Sequence, residues 1–110
     1  MAKTWFITGA GRGLGVEIAK AVMKAGDRAV ATGRSRKAIT DILGPDNEHL
    51  LSVKLDVSNV YQARRAVDMA VAKFGAIDVL VNNAGYGHVG FFEELTAKDA
   101  QAQFATNDSI

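Results

Sequence analysis

The sequence contains no cysteine, so it offers neither a disulfide framework nor thiolate chemistry, which suits a reducing, cytoplasmic setting. It has a single proline and no repeat, linker-like tract or low-complexity stretch. No uninterrupted apolar run is long enough for a bilayer. The run before the first glycines, in MAKTWFITGAGRG, is too short for a secretory signal. A charge bias is also missing. Thirteen Lys plus Arg against twelve Asp plus Glu leave a net charge of +1, with no electrostatic reason to expect nucleic acid or an anionic membrane as partner. The two histidines, His49 and His88, lack metal-ligand spacing with each other or with acids, so no metal site is expected. What is present is a globular balance. With 48% hydrophobic and 23% charged residues, the 110-residue chain has the composition of a small folded domain. Eleven glycines, four of them between positions 9 and 15, are its most informative feature.

Short β-prone runs alternate with helical patterns. The runs are residues 4–8 (TWFIT), 29–32 (AVAT), 50–55 (LLSVKL) and 77–81 (IDVLV). Between the first two, Leu14, Ile18, Val22 and Ala25 keep a helical stripe that stops at Gly26. A shorter helix is expected over residues 35–43, ended by Gly44-Pro45. Ser58 is placed to cap a third helix, with Ala63, Ala66, Val67, Ala70 and Val71 on its buried side and Gly75 after it. Thr96 with Asp99 resembles a capping box and opens a fourth helix. The order βαβαβαβα predicts a doubly wound parallel sheet with helices on both faces. Right-handed crossovers give the strand order 3-2-1-4.

The first strand runs directly into Thr8-Gly9-Ala10-Gly11-Arg12-Gly13-Leu14-Gly15, and a helix follows. Glycines permit a tight turn and close approach of a phosphate, while free N–H groups at the helix start attract its charge. Register then separates the loops that share this logic. A P-loop requires Lys after its last glycine, and no glycine here is followed by Lys. The common dinucleotide fingerprint GxGxxG, started at Gly9, meets Leu14 at its third glycine. Gly9-x-Gly11-x-Gly13 fits the loop of S-adenosylmethionine-dependent methyltransferases, which usually carry an acid before it where this chain has Ile7-Thr8. The pattern TGxxxGxG fits without a gap, at Thr8, Gly9, Gly13 and Gly15.

TGxxxGxG near an N-terminus resembles the classical short-chain dehydrogenase/reductase family. Three further segments agree in order: Asp56-Val57 after the third strand, Asn82-Asn83-Ala84-Gly85 after the fourth, and Phe104-Ala105-Thr106-Asn107. The resemblance reaches from residue 8 to residue 107 and removes most support for a methyltransferase, which has no reason to contain Asn82-Asn83-Ala84-Gly85. It implies a Rossmann-type fold, an oxidoreductase and a nicotinamide dinucleotide. By that resemblance Gly9, Gly11, Arg12, Gly13, Leu14 and Gly15 hold the cofactor pyrophosphate region, with Thr8 buttressing the turn. Asp56 would accept from the adenine amino group and the Val57 backbone would complete that pocket. Asn83, Ala84 and Gly85 would flank the adenosine ribose, and Asn107 would be a catalytic-set residue that helps maintain a proton-relay water.

Cofactor choice is read at the end of the second strand, about 20 residues past the glycines, where NAD-binding sites want a carboxylate for the ribose 2′-hydroxyl. Here Gly33 holds that slot and Arg34 follows, so a 2′-phosphate would meet no repulsion and a guanidinium to pair with. Arg12 approaches from the loop, and Ser35 and Arg36 are candidates to assist. Asp27 is a decoy in the turn before the strand. The expectation is NADP(H) over NAD(H). Tyr86 and His88 lie in a loop expected near the nicotinamide side, with structural or solvent-exposed roles foremost and a substrate contact as the alternative, and Phe91-Phe92 is expected in core or interface.

The family's hydride transfer uses a Tyr-x-x-x-Lys pair and an upstream Ser. Neither tyrosine fits, because Tyr61 is followed four residues on by Arg65 and Tyr86 by Gly90. The expectation is therefore the N-terminal part of one dinucleotide-binding domain over residues 1–110, truncated within the fourth helix, with residues 77–81 as an apolar, unpaired sheet edge. The function expected of the parent is NADP-dependent hydride transfer between the nicotinamide and an alcohol or ketone, a small-molecule substrate, in a homo-oligomeric (dimeric or tetrameric) enzyme. The alternative is a non-catalytic nucleotide-binding or assembly module. A whole-protein mass distinguishes the two: a mass well above that of this chain supports the parent enzyme, and a matching mass with cofactor binding but no turnover supports the module.

Overall fold

Each apolar run becomes a strand because β-branched and aromatic residues suit a pleated surface covered on both faces. The computed structural model describes residues 2–83 and the backbone of residues 91–94. In chain order these form β1 (Thr4–Ile7), α1 (Gly13–Lys24), β2 (Arg28–Gly33), α2 (Arg36–Leu43), β3 (Leu50–Lys54), α3 (Val60–Phe74), β4 (Val79–Asn82) and β5 (Phe91–Glu94). They build one sheet of order β3-β2-β1-β4-β5. The first four strands are mutually parallel, as the 3-2-1-4 expectation required. The fourth helix expected from Thr96 lies outside the described residues.

Side chains alternate between the two faces of the sheet and build two cores. Phe6, Val30, Leu51, Val53 and Leu80 meet Ala63, Ala66, Val67 and Ala70 of α3. Ile7, Ala29, Ala31, Leu50, Val79 and Val81 meet Ala19 and Val22 of α1 and Ile39 of α2. The α3 stripe is the expected one. The α1 stripe holds only in its middle: Val22 is buried and Ile18 packs partly buried against the core, but Gly15, Val16 and Ala19 are buried while Leu14 is 45% exposed and Ala25 is exposed. Small residues at 15 and 19 let the helix approach the sheet closely, and that contact selects their face over the bulkier neighbouring one. Periodicity alone does not separate two stripes one residue apart.

Helix ends follow local chemistry. The Ser35 hydroxyl accepts from Ala38 N at 3.1 Å and starts α2. For α3 the cap is Asn59, not Ser58: Asn59 Oδ1 accepts from Tyr61 N at 3.0 Å and Gln62 N at 3.2 Å. Ser58 is unavailable because its hydroxyl donates to Asp56 at 2.6 Å. Gly75, in the left-handed region at φ 87°, closes α3.

The unpaired edge expected at residues 77–81 is also corrected. β5 pairs antiparallel with β4, in the register Val79↔Glu94 to Asn82↔Phe91. Open backbone groups on an apolar strand favour any available partner, and the chain returns to supply one. Phe91 and Phe92, expected in core or interface, belong to this strand, and their side chains lie outside the described residues.

Asp27 lies in the turn before β2, as expected, and there it takes a structural role. Its carboxylate accepts from Lys3 N at 3.0 Å and from Trp5 Nε1 at 3.1 Å, tying the start of β1 to the turn before β2. The Lys3 backbone bond, followed by the Trp5 bond, holds its carboxyl below the usual carboxylate range. A lowered native pKa means stability that is complete above the unfolded value and lost as pH falls through the native one. Asp27→Ala is expected to lower Tm at neutral pH and to flatten the acid limb of the Tm–pH curve. Thermal melts from pH 7 down to pH 2 check this, and superimposable curves would contradict it.

Candidate cofactor site

The C-terminal ends of β1, β2 and β4 and the turn after β3 converge on one rim of the sheet, where open parallel sheets bind ligands. Thr8 is fully buried there and staples two strands. Its N–H donates to Val81 O at 3.0 Å, and its hydroxyl accepts from Asn83 N at 2.8 Å. The same hydroxyl has Val81 O at 3.3 Å and Asn82 Oδ1 at 3.4 Å as acceptors for its proton. Threonine thus fixes where β1 gives way to the loop and where Asn83 leaves β4. The loop is also tied to β2, through Ala10 N to Thr32 O at 2.8 Å.

The glycines divide the work. Gly9 and Gly13 adopt left-handed backbone, at φ 64° and 60°. Gly15 is required by contact instead, because a Cβ there would run into the Gly9 carbonyl and Ala10 Cα. Gly11 has neither constraint: its φ is ordinary, and a Cβ would meet Ala38 and Ile39 at 3.9 Å, a normal contact. No side chain caps α1; Arg12 at the N-cap is extended, and the first turn has no acid. Open N–H groups, the positive end of the helix dipole and no carboxylate together favour an anion. Leu14, half exposed at this helix start, and Arg12, exposed beside it, border the same space.

At the end of β2, a side chain at Gly33 would lie 3.7 Å from the Gly11 nitrogen, so position 33 adjoins the loop. Arg34 follows it, exposed. Arg36, a candidate to assist, is committed elsewhere: Nε donates to Ser52 O at 3.1 Å and Nη2 lies 3.3 Å from Asp46 Oδ2. Ser35 is the α2 cap. These short-range commitments separate Arg34 from its neighbours.

Asp56 sits in the turn after β3, held by two residues that the motif did not identify. Gln62 Oε1 accepts from Asp56 N at 2.8 Å, while Asp56 Oδ1 accepts the Ser58 N–H at 3.0 Å and its hydroxyl. The Asp-x-Ser spacing signals this turn in sequence. The Ser58 hydroxyl, then its N–H, with a smaller contribution from the nearby Arg34, holds the Asp56 carboxyl below its usual range. It remains an ionised acceptor at neutral pH, and Oδ2 takes no bond from the described residues. Val57 packs partly buried against the α3 core. Ala84, Gly85 and Asn107, with Tyr86 and His88, lie outside the described residues. Among the described residues no group of His, Cys, Asp or Glu is placed to hold a metal, and no helix is long and apolar enough to cross a membrane.

Two outcomes follow from this geometry. Gly15→Ala is expected to destabilise the fold by about 1–3 kcal/mol, since overpacking outweighs the better helix propensity of alanine. Gly11→Ala is expected to leave Tm nearly unchanged. Denaturant titrations of both variants provide the check, and equal stabilities would refute this division of roles.

The sequence profile of the short chain dehydrogenase family matches residues 3–109. Oxidoreductase BOA17 of Botryotinia fuckeliana is 41% identical over 108 residues, covering 97% of this chain and 39% of that protein. D-threitol dehydrogenase of Mycolicibacterium smegmatis is 33% identical over 108 residues, with 96% and 42% covered. A short-chain dehydrogenase structure from Streptomyces avermitilis superposes with TM-score 0.71 at 36% identity, over 77% of this chain and 31% of that one. The 3-ketoacyl-(acyl-carrier-protein) reductase of Brucella melitensis, solved in complex with NADH, gives TM-score 0.71 at 40% identity, over 78% and 36%. The chain thus spans well under half the length of these relatives. Its glycine loop, strand order and near-complete match place it in the short-chain dehydrogenase family of oxidoreductases.

Proposed function

We propose that this chain is the cofactor-binding part of an NADP(H)-dependent oxidoreductase acting on an alcohol or ketone. The observation that carries the preference is the end of β2, where Gly33 and the exposed Arg34 stand in place of a carboxylate, with Arg34 close enough to Asp56 to lower its pKa. A guanidinium pairs with a phosphate through charge-assisted, directional bonds, whereas a carboxylate at this place would repel it. The NADH complex of a structural neighbour supports a nicotinamide dinucleotide as the class. The preference for the phosphate-bearing form rests on Gly33 and Arg34 of this chain.

The residues present fit such a group. Gly9, Gly13 and Gly15 bring the backbone against the start of α1, and Gly11 leaves a face of the loop without a side chain, so a pyrophosphate can reach the α1 N–H groups. Arg12 adds positive charge beside that helix start, and Leu14 offers an apolar surface to the bound dinucleotide. Asp56 Oδ2 would accept from the adenine amino group, with the Val57 backbone completing the pocket, and Asn83, Ala84 and Gly85 would flank the ribose. When bound, the nicotinamide supplies or accepts the hydride. Within these 110 residues there is no Tyr-x-x-x-Lys pair to exchange a proton with the substrate oxygen, and Asn107 is the one catalytic-set residue assigned. The chain by itself is therefore proposed to bind cofactor without turning over a carbonyl.

Isothermal titration of the chain with NADPH and NADH tests both statements. Tighter NADPH binding is expected, with Arg34→Asp reducing the NADPH-to-NADH affinity ratio by about tenfold or more, the worth of one charged hydrogen bond. An unchanged ratio would refute the assignment of Arg34. Turnover of an alcohol or ketone panel by the purified chain would refute the second statement.

A further inference from the structure

The edge strand β3 is closed by charged side chains in a way that the cofactor site does not require. The His49 carbonyl bonds Ala29 N at 2.8 Å and the Leu55 N–H bonds Gly33 O at 2.7 Å, so the odd-numbered residues of this strand turn their peptide groups toward β2. The peptide groups of Leu50, Ser52 and Lys54 consequently face away from the sheet. An edge of this kind is a template for a further strand from a second copy of the chain.

Two of those three positions are occupied. The Leu50 peptide groups bond back to Asn47, at 3.3 Å through its N–H and 3.0 Å through its carbonyl, and that carbonyl also accepts from Lys73 Nζ at 3.0 Å. At Ser52, Asp46 Oδ1 accepts the N–H at 2.9 Å and Arg36 Nε donates to the carbonyl at 3.1 Å. Arg36 Nη2 then meets Asp46 Oδ2 at 3.3 Å and closes a ring of three bonds around one residue. One donor and one acceptor on a pair of side chains thus reproduce what a neighbouring strand would offer Ser52. The third position, Lys54, carries an exposed ammonium side chain, a charge that opposes stacking of another strand.

We propose that the Arg36–Asp46 pair guards the β3 edge, acting as a side-chain substitute for a sixth strand that denies this edge to a second copy of the chain. As an isolated surface ion pair it would contribute little, since Arg36 is 54% exposed and such pairs are worth little in water. The significance lies in the two backbone groups that it satisfies and shields.

Amide hydrogen exchange and sedimentation of the 110-residue chain test the proposal. In the wild type, at low concentration, the Ser52 amide is expected to exchange at least about tenfold more slowly than an unprotected amide, the factor that one charged hydrogen bond provides. Exchange at the unprotected rate would overturn the proposal without any variant. Arg36→Ala/Asp46→Ala is expected to keep its circular dichroism, lose that protection when dilute, and gain mass above the wild type as concentration rises. A second variant, Asp46→Ala alone, removes the acceptor while leaving α2 intact, and is expected to behave in the same direction. Wild-type mass at every concentration in a folded variant would overturn the proposal.

Discussion

The contact between the Gly9 carbonyl and the α-carbon of Gly15 sets the geometry on which the rest of the site depends. No side chain fits between them, so α1 begins almost against the end of β1. The same closeness selects the small-residue face of α1 for burial, through Gly15 and Ala19, and turns Leu14 out to the rim. It also leaves the first N–H groups of the helix facing the loop, with neither a capping side chain nor an acid in the first turn. The open helix start at this rim, a setting that suits an anion, is therefore a consequence of packing, produced by the same residue that brings helix and sheet together.

Around that contact the strand ends are held by polar side chains that each serve two elements. Thr8 joins β1 to β4 and positions Asn83, while Thr32 bonds Ile7 O at 2.8 Å and joins β2 to β1. Both hydroxyls are buried, and both are satisfied by backbone groups, so they add direction at the rim without leaving a polar atom stranded. Asp56 follows the same logic: Ser58 and Gln62 fix its turn and keep it ionised, while one carboxylate oxygen stays clear of those bonds. Arg34 stands apart from its basic neighbours because Ser35 caps α2 and Arg36 is turned to β3. The two residues that the sequence offers as assistants to Arg34 are thus given structural partners of their own, and Arg34 is left exposed at the end of β2.

Much of the architecture was legible because it depends on local, short-range rules. Apolar runs bounded by glycine, helices stopped at Gly44 and Gly75, and the alternation of strand and helix are enough to give the parallel order 3-2-1-4. The positions of Thr8, the loop glycines and Asp56 on one rim follow from that order, since each lies just past the end of its strand. Asp27 precedes β2 in sequence and so lies at the end of the strand away from the ribose position, where it bonds Lys3 and Trp5. What was misread has two causes. The α1 face and the partner of β4 depend on contacts between segments apart in sequence, whereas the α3 cap turns on a side-chain bond, Ser58 to Asp56, that a capping pattern does not reveal.

The amino-acid sequence by itself determined the order of elements, the glycine loop and the absence of an acid after the second strand, since these are properties of residue type and spacing. Only the tertiary structure decided which of two adjacent stripes faces the sheet, that β5 returns antiparallel to cover β4, and that Arg36 and Asp46 close the β3 edge. Those outcomes depend on how nearly two backbones can approach and which unpaired groups they leave, quantities fixed in space and not along the chain.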